Sequence, residues 1–469
     1  MREYHGNKFI DEDLILSLLQ SGAAAPRHQV LEIIKRASEA KGLSPVEAAI
    51  LIQVEEPELL EMMYHTARQI KEKIYGKRIV FFAPLYISNF CSNNCAYCGY
   101  HTANHAMTRC RLNDDEIRKE VGVLLSMGHK RIALELGEDP VQNPIEYVLQ
   151  SLQTIYSVRD ARGNAIRRIN VNIAATTIEE YQLLKAAGIG TYILFQETYH
   201  QPTYELLHPQ GPKSDYLYHL TAMDRAMLGG IDDVGAGVLY GLYDYRFEVV
   251  ATLLHALHLE ERFGVGPHTI SVPRLRPAQD VDLADFPYLV SDNDFRKIIA
   301  VLRLAVPYTG MLLSTREPAG YRDELIALGI SQISAGSCTG VGGYREEQNS
   351  GTDSTAQFQI EDTRSPEQLV ASLCGGGYLP SWCTACYRQG RTGDRFMALA
   401  KNGQIQNVCQ PNALLTFKEY LMDFASPATR QIGERLIADS LQAIPSEKMK
   451  AATIERLRQI ENGKRDLYF

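Results

Sequence analysis

Cys91, Cys95 and Cys98 sit in one run, Cys91-Ser-Asn-Asn-Cys95-Ala-Tyr-Cys98, with the spacing C-x3-C-x2-C. A four-iron cluster takes four ligands, so three thiolates would leave one iron open to a small molecule. A structural zinc site asks for a closed set of four, and His101 or Cys110 lies near enough in sequence to complete one. A second set, Cys383-Thr-Ala-Cys386 followed by Cys409, has the spacing C-x2-C-x22-C. It too supplies three thiolates. Here iron–sulfur and zinc remain open alternatives, with Cys374 as the fourth ligand in the zinc case. No βαβ unit surrounds this CxxC, which argues against a thioredoxin-like redox pair.

The rest of the composition narrows the setting. The chain has 469 residues, 45% of them hydrophobic and 22% charged, with a net charge of −8. It has no long basic run, which argues against nucleic acid as a partner, and no apolar run long enough to span a bilayer. The start MREYHGNKFIDEDLI lacks the pattern of a secretory leader, so a cytoplasmic location is expected. Nine cysteines, an odd number, gathered mostly in or beside two clusters, read as metal ligands rather than disulfides.

The elements that must position these thiolates follow from periodicity. Residues 1–77 show helical spacing, with Ser44-Pro45 as a helix start. From residue 78 short β-rich runs alternate with amphipathic stretches: 78–88, 131–136, 168–174, 190–196, 233–240, 268–273, 310–315 and 331–335. Eight strands alternating with helices predict an α/β fold, a TIM-type (β/α)8 barrel over 78–340, with a doubly wound open sheet as the alternative. In such a barrel function sits at the C-terminal ends of the strands, and Cys91 follows the first strand directly. Residues 341–469 begin with a polar stretch, GGYREEQNSGTDSTAQFQIEDTRSPEQ, expected to be exposed. They then carry the second cysteine set and a tail of helical pattern.

The spacing of the first cysteines resembles that of the radical S-adenosylmethionine (SAM) superfamily. The segment SWCTACYRQGRTGDRFMALAKNGQIQNVCQPNALLTFKEYL resembles the C-terminal domain of the FeFe-hydrogenase maturases of the HydG family. CSNNCAYCGY, FQETYH, GVLYGLYD, HTISVPRLRPA and LLSTRE carry the likeness through the barrel. The barrel motifs are shared with 2-iminoacetate synthase of the thiamine pathway, which lacks the C-terminal domain. Cys110 is additional to the motif. The resemblance implies two 4Fe-4S clusters and SAM. Cys91, Cys95 and Cys98 would hold the first cluster. Cys383, Cys386 and Cys409 would hold the second, with an additional iron and free L-cysteine. It implies cleavage of the Cα–Cβ bond of L-tyrosine to p-cresol and dehydroglycine. Dehydroglycine would then yield carbon monoxide and cyanide for an iron precursor of the hydrogenase active site. It further implies an electron donor such as a ferredoxin or flavodoxin, and other hydrogenase maturation proteins as partners. The alternative is a 2-iminoacetate synthase with a structural metal-bound tail. A non-catalytic iron–sulfur carrier would need neither the SAM motifs nor a full barrel.

Roles follow motif by motif. Tyr97 stands where the family packs the adenine. Gly137 and Glu138 would receive the SAM amino group, since a carboxylate accepts charge-assisted hydrogen bonds from an ammonium. Glu197 is a further candidate SAM contact, and Gly237 and Gly241 would let the backbone approach the nucleoside. Arg316, with Ser314 beside it, would grip the tyrosine carboxylate bidentately; the alternative for Arg316 is a salt bridge to Glu317. Arg274 and Arg276 are vaguer candidates at the barrel rim. The resemblance makes His268 a ligand of the additional iron, a role neutral imidazole suits. Its place at a strand start puts it at the barrel end opposite the first cluster.

Overall fold

The computed structural model describes residues 8–347, 355–401 and 403–469. Eight parallel strands close into a barrel: β1 (Arg78–Ser88), β2 (Arg131–Leu136), β3 (Arg168–Asn172), β4 (Tyr192–Ile193), β5 (Val234–Gly237), β6 (Thr269–Ser271), β7 (Gly310–Leu313) and β8 (Gln332–Ser334). Closure runs through β1, which pairs β8 from Val80↔Gln332 to Phe82↔Ser334 and β2 from Ala83↔Ile132 onward. The predicted strands are all present, most of them shorter than their apolar runs. The sequence of β1, RIVFFAPLYIS, shows why it forms. It is rich in β-branched and aromatic residues, and all its residues are buried. Phe82, Pro84 and Tyr86 turn into the barrel, while Ile79, Phe81, Leu85 and Ile87 pack outward under the helices.

The N-terminal segment forms helices Glu12–Gly22, Arg27–Ala37, Pro45–Leu51 and Pro57–Tyr75. Ser44 caps the third in a capping box with Glu47, and Pro45 takes the first helical position. Pro57–Tyr75 packs on the barrel helices Asp292–Ala305 and Ala319–Leu328.

Two features past residue 340 depart from expectation. A ninth strand, β9 (Leu379–Ser381), adds in parallel to the lower end of β1, with Arg78↔Leu379 and Val80↔Ser381. The next residue, Trp382, is fully buried and stacks on Tyr420 of the long helix Ile405–Asp423. The second departure corrects the reading of the polar stretch as an exposed excursion. Its middle, 348–354, lies outside the described residues, but 355–362 run back across the barrel mouth. The Gln357 amide donates to Thr339 O (3.0 Å) and the Glu361 amide to Thr315 O (2.9 Å). The Thr339 hydroxyl donates to Phe358 O (2.8 Å). Thr339, Thr355 and Asp362 are buried here, while Gln359 and Glu361 keep their side chains exposed. Asp362 anchors the strap on Arg322 (2.5 Å), and Arg322 also donates to Ser334 O (2.7 Å). Both partners of this ion pair are only 1% exposed.

Removing one partner of a buried pair leaves an uncompensated charge and costs about 3–5 kcal/mol. Asp362→Ala is expected to lower the thermal unfolding midpoint of the metal-free protein by several degrees. A midpoint equal to that of the parent would mean that the strap is not fastened through this pair.

Candidate active site and second metal centre

The C-terminal mouth of the barrel opens on a cavity of about 210 Å³. Cys91, Cys95 and Cys98 line it, brought there by the loop that leaves β1. Gly137 makes that approach possible: a Cβ in its place would stand 2.4 Å from Phe90 O. The loop is pinned to the end of β2, with the Ser92 amide and hydroxyl donating to Glu138 O (2.8 and 2.9 Å). Asn93 donates to the Glu138 carboxylate (2.6 Å). Burial pushes all three thiols up, Cys98 to about 11. A metal that ionises them would offset that penalty. Asn93 and Gln357 aim N–H groups at Cys91 Sγ (3.8 Å) and Cys98 Sγ (3.6 Å).

Tyr97, Glu138, Glu197, Ser314 and Arg316 all line the same cavity, as does Gly137. Tyr97 is held by His208. The His208 Nδ1–H donates to Tyr204 O (2.7 Å), which leaves Nε2 to accept from the Tyr97 hydroxyl (2.8 Å). Burial and the Lys213 charge push His208 down to about 3, so it stays neutral. Glu197 sits at φ 69°, a left-handed conformation costly for a non-glycine residue. It pairs with Lys213 (2.6 Å). Burial opposes the charge on Lys213, but the Glu197 carboxylate beside it outweighs burial and holds the ammonium protonated.

Arg316 is not bridged to Glu317. Arg274 and Arg276 take that carboxylate, Arg276 at 2.7 Å. Arg316 instead lies over the Phe358 ring (3.4 Å) inside the cavity. Among the described residues it forms no ion pair, and burial disfavours its charge. Such a guanidinium is suited to an incoming carboxylate. Gly237 and Gly241 do not line the cavity. A Cβ at Gly237 would strike the Phe195 ring at 2.6 Å, and Gly241, at φ 123°, packs against Leu275. Their smallness makes room for protein side chains.

Sequence reasoning missed Glu135, Lys213, Gln357 and Phe358, all lining residues. Glu135 accepts from Asn172 (2.8 Å). Burial pushes its carboxyl up to about 8 against the Arg316 charge. Strand alternation alone could have flagged Glu135, since it shares the inward face of β2 with Ala133. The loop residues carry no such signal.

At the N-terminal mouth a smaller cavity, about 60 Å³, is lined by Cys383, Cys386, Cys409 and His268. β9 delivers Cys383, whose carbonyl accepts from Arg131 (3.0 Å). Cys409 rides on the helix Ile405–Asp423. The Cys386 thiol donates to Cys409 and favours its thiolate against burial, aided by Arg78 and Arg391. Burial lowers the proton affinity of His268 despite Asp233. Its Nε2 is 3.3 Å from the Tyr387 hydroxyl. Among the described residues His268 Nδ1, Asp233 Oδ2, Arg78 Nε, Thr384 Oγ1 and Arg391 Nε have no hydrogen-bond partner. So many orphaned polar atoms around thiols and an imidazole fit a metal group with further polar ligands. His101, Cys110 and Cys374 line neither cavity, so none of the fourth zinc ligands offered by the sequence is in place, although His268 does line the lower one. His101 turns to Cys98 O and Asp280. Among the described residues no three such side chains converge on one ion. A cluster instead takes its thiolates on separate irons.

Comparison with known proteins agrees with this geometry. Residues 85–256 match the radical SAM superfamily model and residues 271–379 the Biotin and Thiamin Synthesis associated domain. The 2-iminoacetate synthase of Salmonella typhimurium is 30% identical over 351 residues, 74% of this chain and 89% of the relative. A crystal structure of HydG, a maturase of the [FeFe]-hydrogenase, superposes with a TM-score of 0.95 at 60% identity, covering 99% of this chain and 100% of that one. HydG from Carboxydothermus hydrogenoformans gives 0.82 at 40% identity, covering 96% and 100%. A radical SAM barrel that uses SAM and a 4Fe-4S cluster, joined over nearly its whole length to these maturases, belongs to the HydG family of [FeFe]-hydrogenase maturases.

Proposed function

We propose that the chain cleaves the Cα–Cβ bond of L-tyrosine at the upper cavity and converts the dehydroglycine to carbon monoxide and cyanide at the lower one. p-Cresol is the other product of the first step. The iron precursor so built is destined for the hydrogenase active site. The observation that carries this reading is the placement of two three-cysteine sites at opposite mouths of one barrel, in cavities whose linings are adjacent inward-facing layers. Val80, Arg131, Gly310 and Gln332 line the lower cavity, and Phe82, Ala133, Leu312 and Ser334, two residues further on, line the upper. Two residues of strand rise about 7 Å. The two cysteine sets stand further apart, beyond the two ends of the 11-residue β1, and a labile imine passing between them inside the barrel stays away from bulk water.

Cys91, Cys95 and Cys98 would hold the first cluster, and Cys383, Cys386 and Cys409 the second, with His268 on an additional iron beside free L-cysteine. When bound, the first cluster and SAM supply a carbon-centred radical and the second supplies iron for the carbon monoxide and cyanide. The protein's part is placement. Glu138 and Glu197 offer carboxylates to SAM, with Tyr97 beside the adenine and Lys213 positioned for its carboxylate. Arg316 and Ser314 orient the substrate carboxylate, and Phe358 fixes the plane of the guanidinium. A ferredoxin or flavodoxin would deliver electrons. On this reading the chain divides into a helical extension (1–77), the barrel (78–340) and a C-terminal domain (341–469) anchored on the barrel through β9.

Anaerobic reconstitution with iron and sulfide, followed by product analysis with tyrosine, tests the whole. Cys95→Ala is expected to abolish both 5′-deoxyadenosine and p-cresol; normal p-cresol from it would sink the assignment of the first site. Cys383→Ala with Cys386→Ala should still release p-cresol, while carbon monoxide falls sharply and hydrogenase maturation fails. Were that double variant to make carbon monoxide at the parent rate, the second site would be structural, as in a 2-iminoacetate-type lyase with a metal-bound tail. His268→Ala should behave similarly but more mildly, since the cluster ligands remain.

Substrate anchoring gives a separate prediction. Arg316→Lys keeps the charge but loses the two-pronged fork. Losing one charge-assisted bond of about 1.5–3 kcal/mol corresponds to roughly a ten- to hundred-fold fall in kcat/KM for tyrosine. Deoxyadenosine release without tyrosine should persist. An unchanged kcat/KM would return Arg316 to a structural role.

A further inference from the structure

The strap over the upper mouth places two consecutive side chains on two different parts of the site. Gln357 reaches the first cysteine set, its Nε2 donating to Cys98 Sγ at 3.6 Å. Phe358 lies under the Arg316 guanidinium, 3.4 Å from ring centroid to cation. The Gln357 amide cannot turn freely. The Tyr86 hydroxyl donates to its Oε1 (3.0 Å), which leaves the NH₂ facing the sulfur. Tyr86 is itself a wall of the substrate cavity, level with Glu135 in the pairing of β1 and β2. The Gln357 backbone is fixed as well: its N–H donates to Thr339 O (3.0 Å) and its carbonyl accepts from the Gly99 amide (3.3 Å), next to Cys98. Cavity wall, amide and thiolate thus form one continuous hydrogen-bonded chain.

We propose that Gln357 is a positioning residue that couples occupancy of the tyrosine cavity to the reduction potential of the first cluster. The inference rests on Cys98 being a cluster ligand and on tyrosine binding beside Arg316. An N–H donor aimed at a ligating sulfur withdraws electron density. It therefore favours the reduced, more negative cluster, and hydrogen bonds to sulfur are among the factors that set cluster potentials. Backbone N–H groups of Asn93 and Glu138 reach Cys91 and that of Tyr100 reaches Cys98; the other side-chain N–H donor to this set among the described residues, Asn93 on Cys91, is longer at 3.8 Å and is also committed to Glu138. Gln357 is the donor whose partner chain leads to the substrate. A substrate carboxylate on Arg316 acts on the guanidinium against which Phe358 packs, and the substrate body meets Tyr86. Both contacts bear on the amide next door. The consequence is a cluster that accepts an electron more readily when tyrosine is in place, which limits wasteful SAM cleavage.

The test is a redox titration of the reconstituted holoenzyme with bound SAM, followed by electron paramagnetic resonance, with and without tyrosine. Tyrosine should raise the midpoint potential of the first cluster in the parent protein. Gln357→Leu should lower that potential and erase the difference tyrosine makes. A tenfold loss in the reduction equilibrium corresponds to about 59 mV for a one-electron couple. Gln357→Glu keeps the shape but replaces the donor with a carboxylate, and should lower the potential at least as far. Tyr86→Phe leaves Gln357 in place and only frees its amide. It should shift the potential in the same direction by less, and it carries the test if Gln357→Leu fails to take up iron. Equal potentials in the parent and Tyr86→Phe proteins, or a tyrosine response that survives Gln357→Glu, would overturn the proposal. A parent enzyme that makes no p-cresol from tyrosine would instead overturn the reaction assigned above; the dependence of the potential on Gln357 would still be measurable.

Discussion

Everything in this molecule is measured from β1. It is the longest strand, and it pairs with three others, β2, β8 and β9, at successive levels. Closure of the barrel fixes its tilt and register, so its two ends become fixed points on opposite mouths. Arg78, at the lower end, favours the Cys409 thiolate. Cys91 follows three residues beyond the upper end. A slip of one residue would turn every inward side chain outward, taking Val80 and Arg78 from the lower cavity and Phe82, Pro84 and Tyr86 from the upper. Burial on both faces of β1 makes such a slip costly, and the separation of the two metal sites inherits that rigidity.

The two mouths differ in their charge design. The upper mouth sets Arg276, Arg316 and Lys213 against Glu138 and Glu197, with Glu135 held toward its neutral form by burial. That balance suits zwitterions, which both SAM and tyrosine are. The lower mouth is dominated by Arg78, Arg131 and Arg391 against a single carboxylate, Asp233. Buried cations in excess of anions are costly unless something negative joins them. Three thiolates around a cluster, and anionic small ligands on its iron, are what such a surface would stabilise. The orphaned guanidinium nitrogens of Arg78 and Arg391 express the same imbalance.

Much of this was legible in the sequence, because barrel strands announce themselves by β-rich runs and the cysteines by their spacing. The start of helix Pro45–Leu51 could be read from Ser44-Pro45, and the location of His268 from its place just before β6. What stayed hidden was non-local. β9 is three residues, Leu-Pro-Ser, with no alternation to detect, and it becomes a strand only because the lower edge of β1 lacks a partner there. Lys213, Gln357 and Phe358 come from loops whose course is set by tertiary hydrogen bonds, and the polar composition of 355–362 gave the opposite impression, of a solvated excursion. The sequence offers Gly237 and Gly241 as places where the backbone can approach a nucleoside, and in the structure a Cβ at these positions would meet Phe195 and Leu275. A glycine reports that something approaches, not what.

The interior between the cavities also sorts the products of the proposed first step. Thr269 Oγ1, Ser271 Oγ and Ser334 Oγ are buried hydroxyls without a partner among the described residues. Each such group costs roughly 1–3 kcal/mol unless something polar meets it. A small, polar imine can satisfy these hydroxyls as it passes. An aromatic product cannot, and it would have to displace Phe82 and Leu312, which are packed with Ala133 in the barrel interior. The aromatic half of the substrate must therefore leave upward, beneath the strap that carries Gln357 and Phe358, while the two-carbon half moves down toward the second set of thiolates.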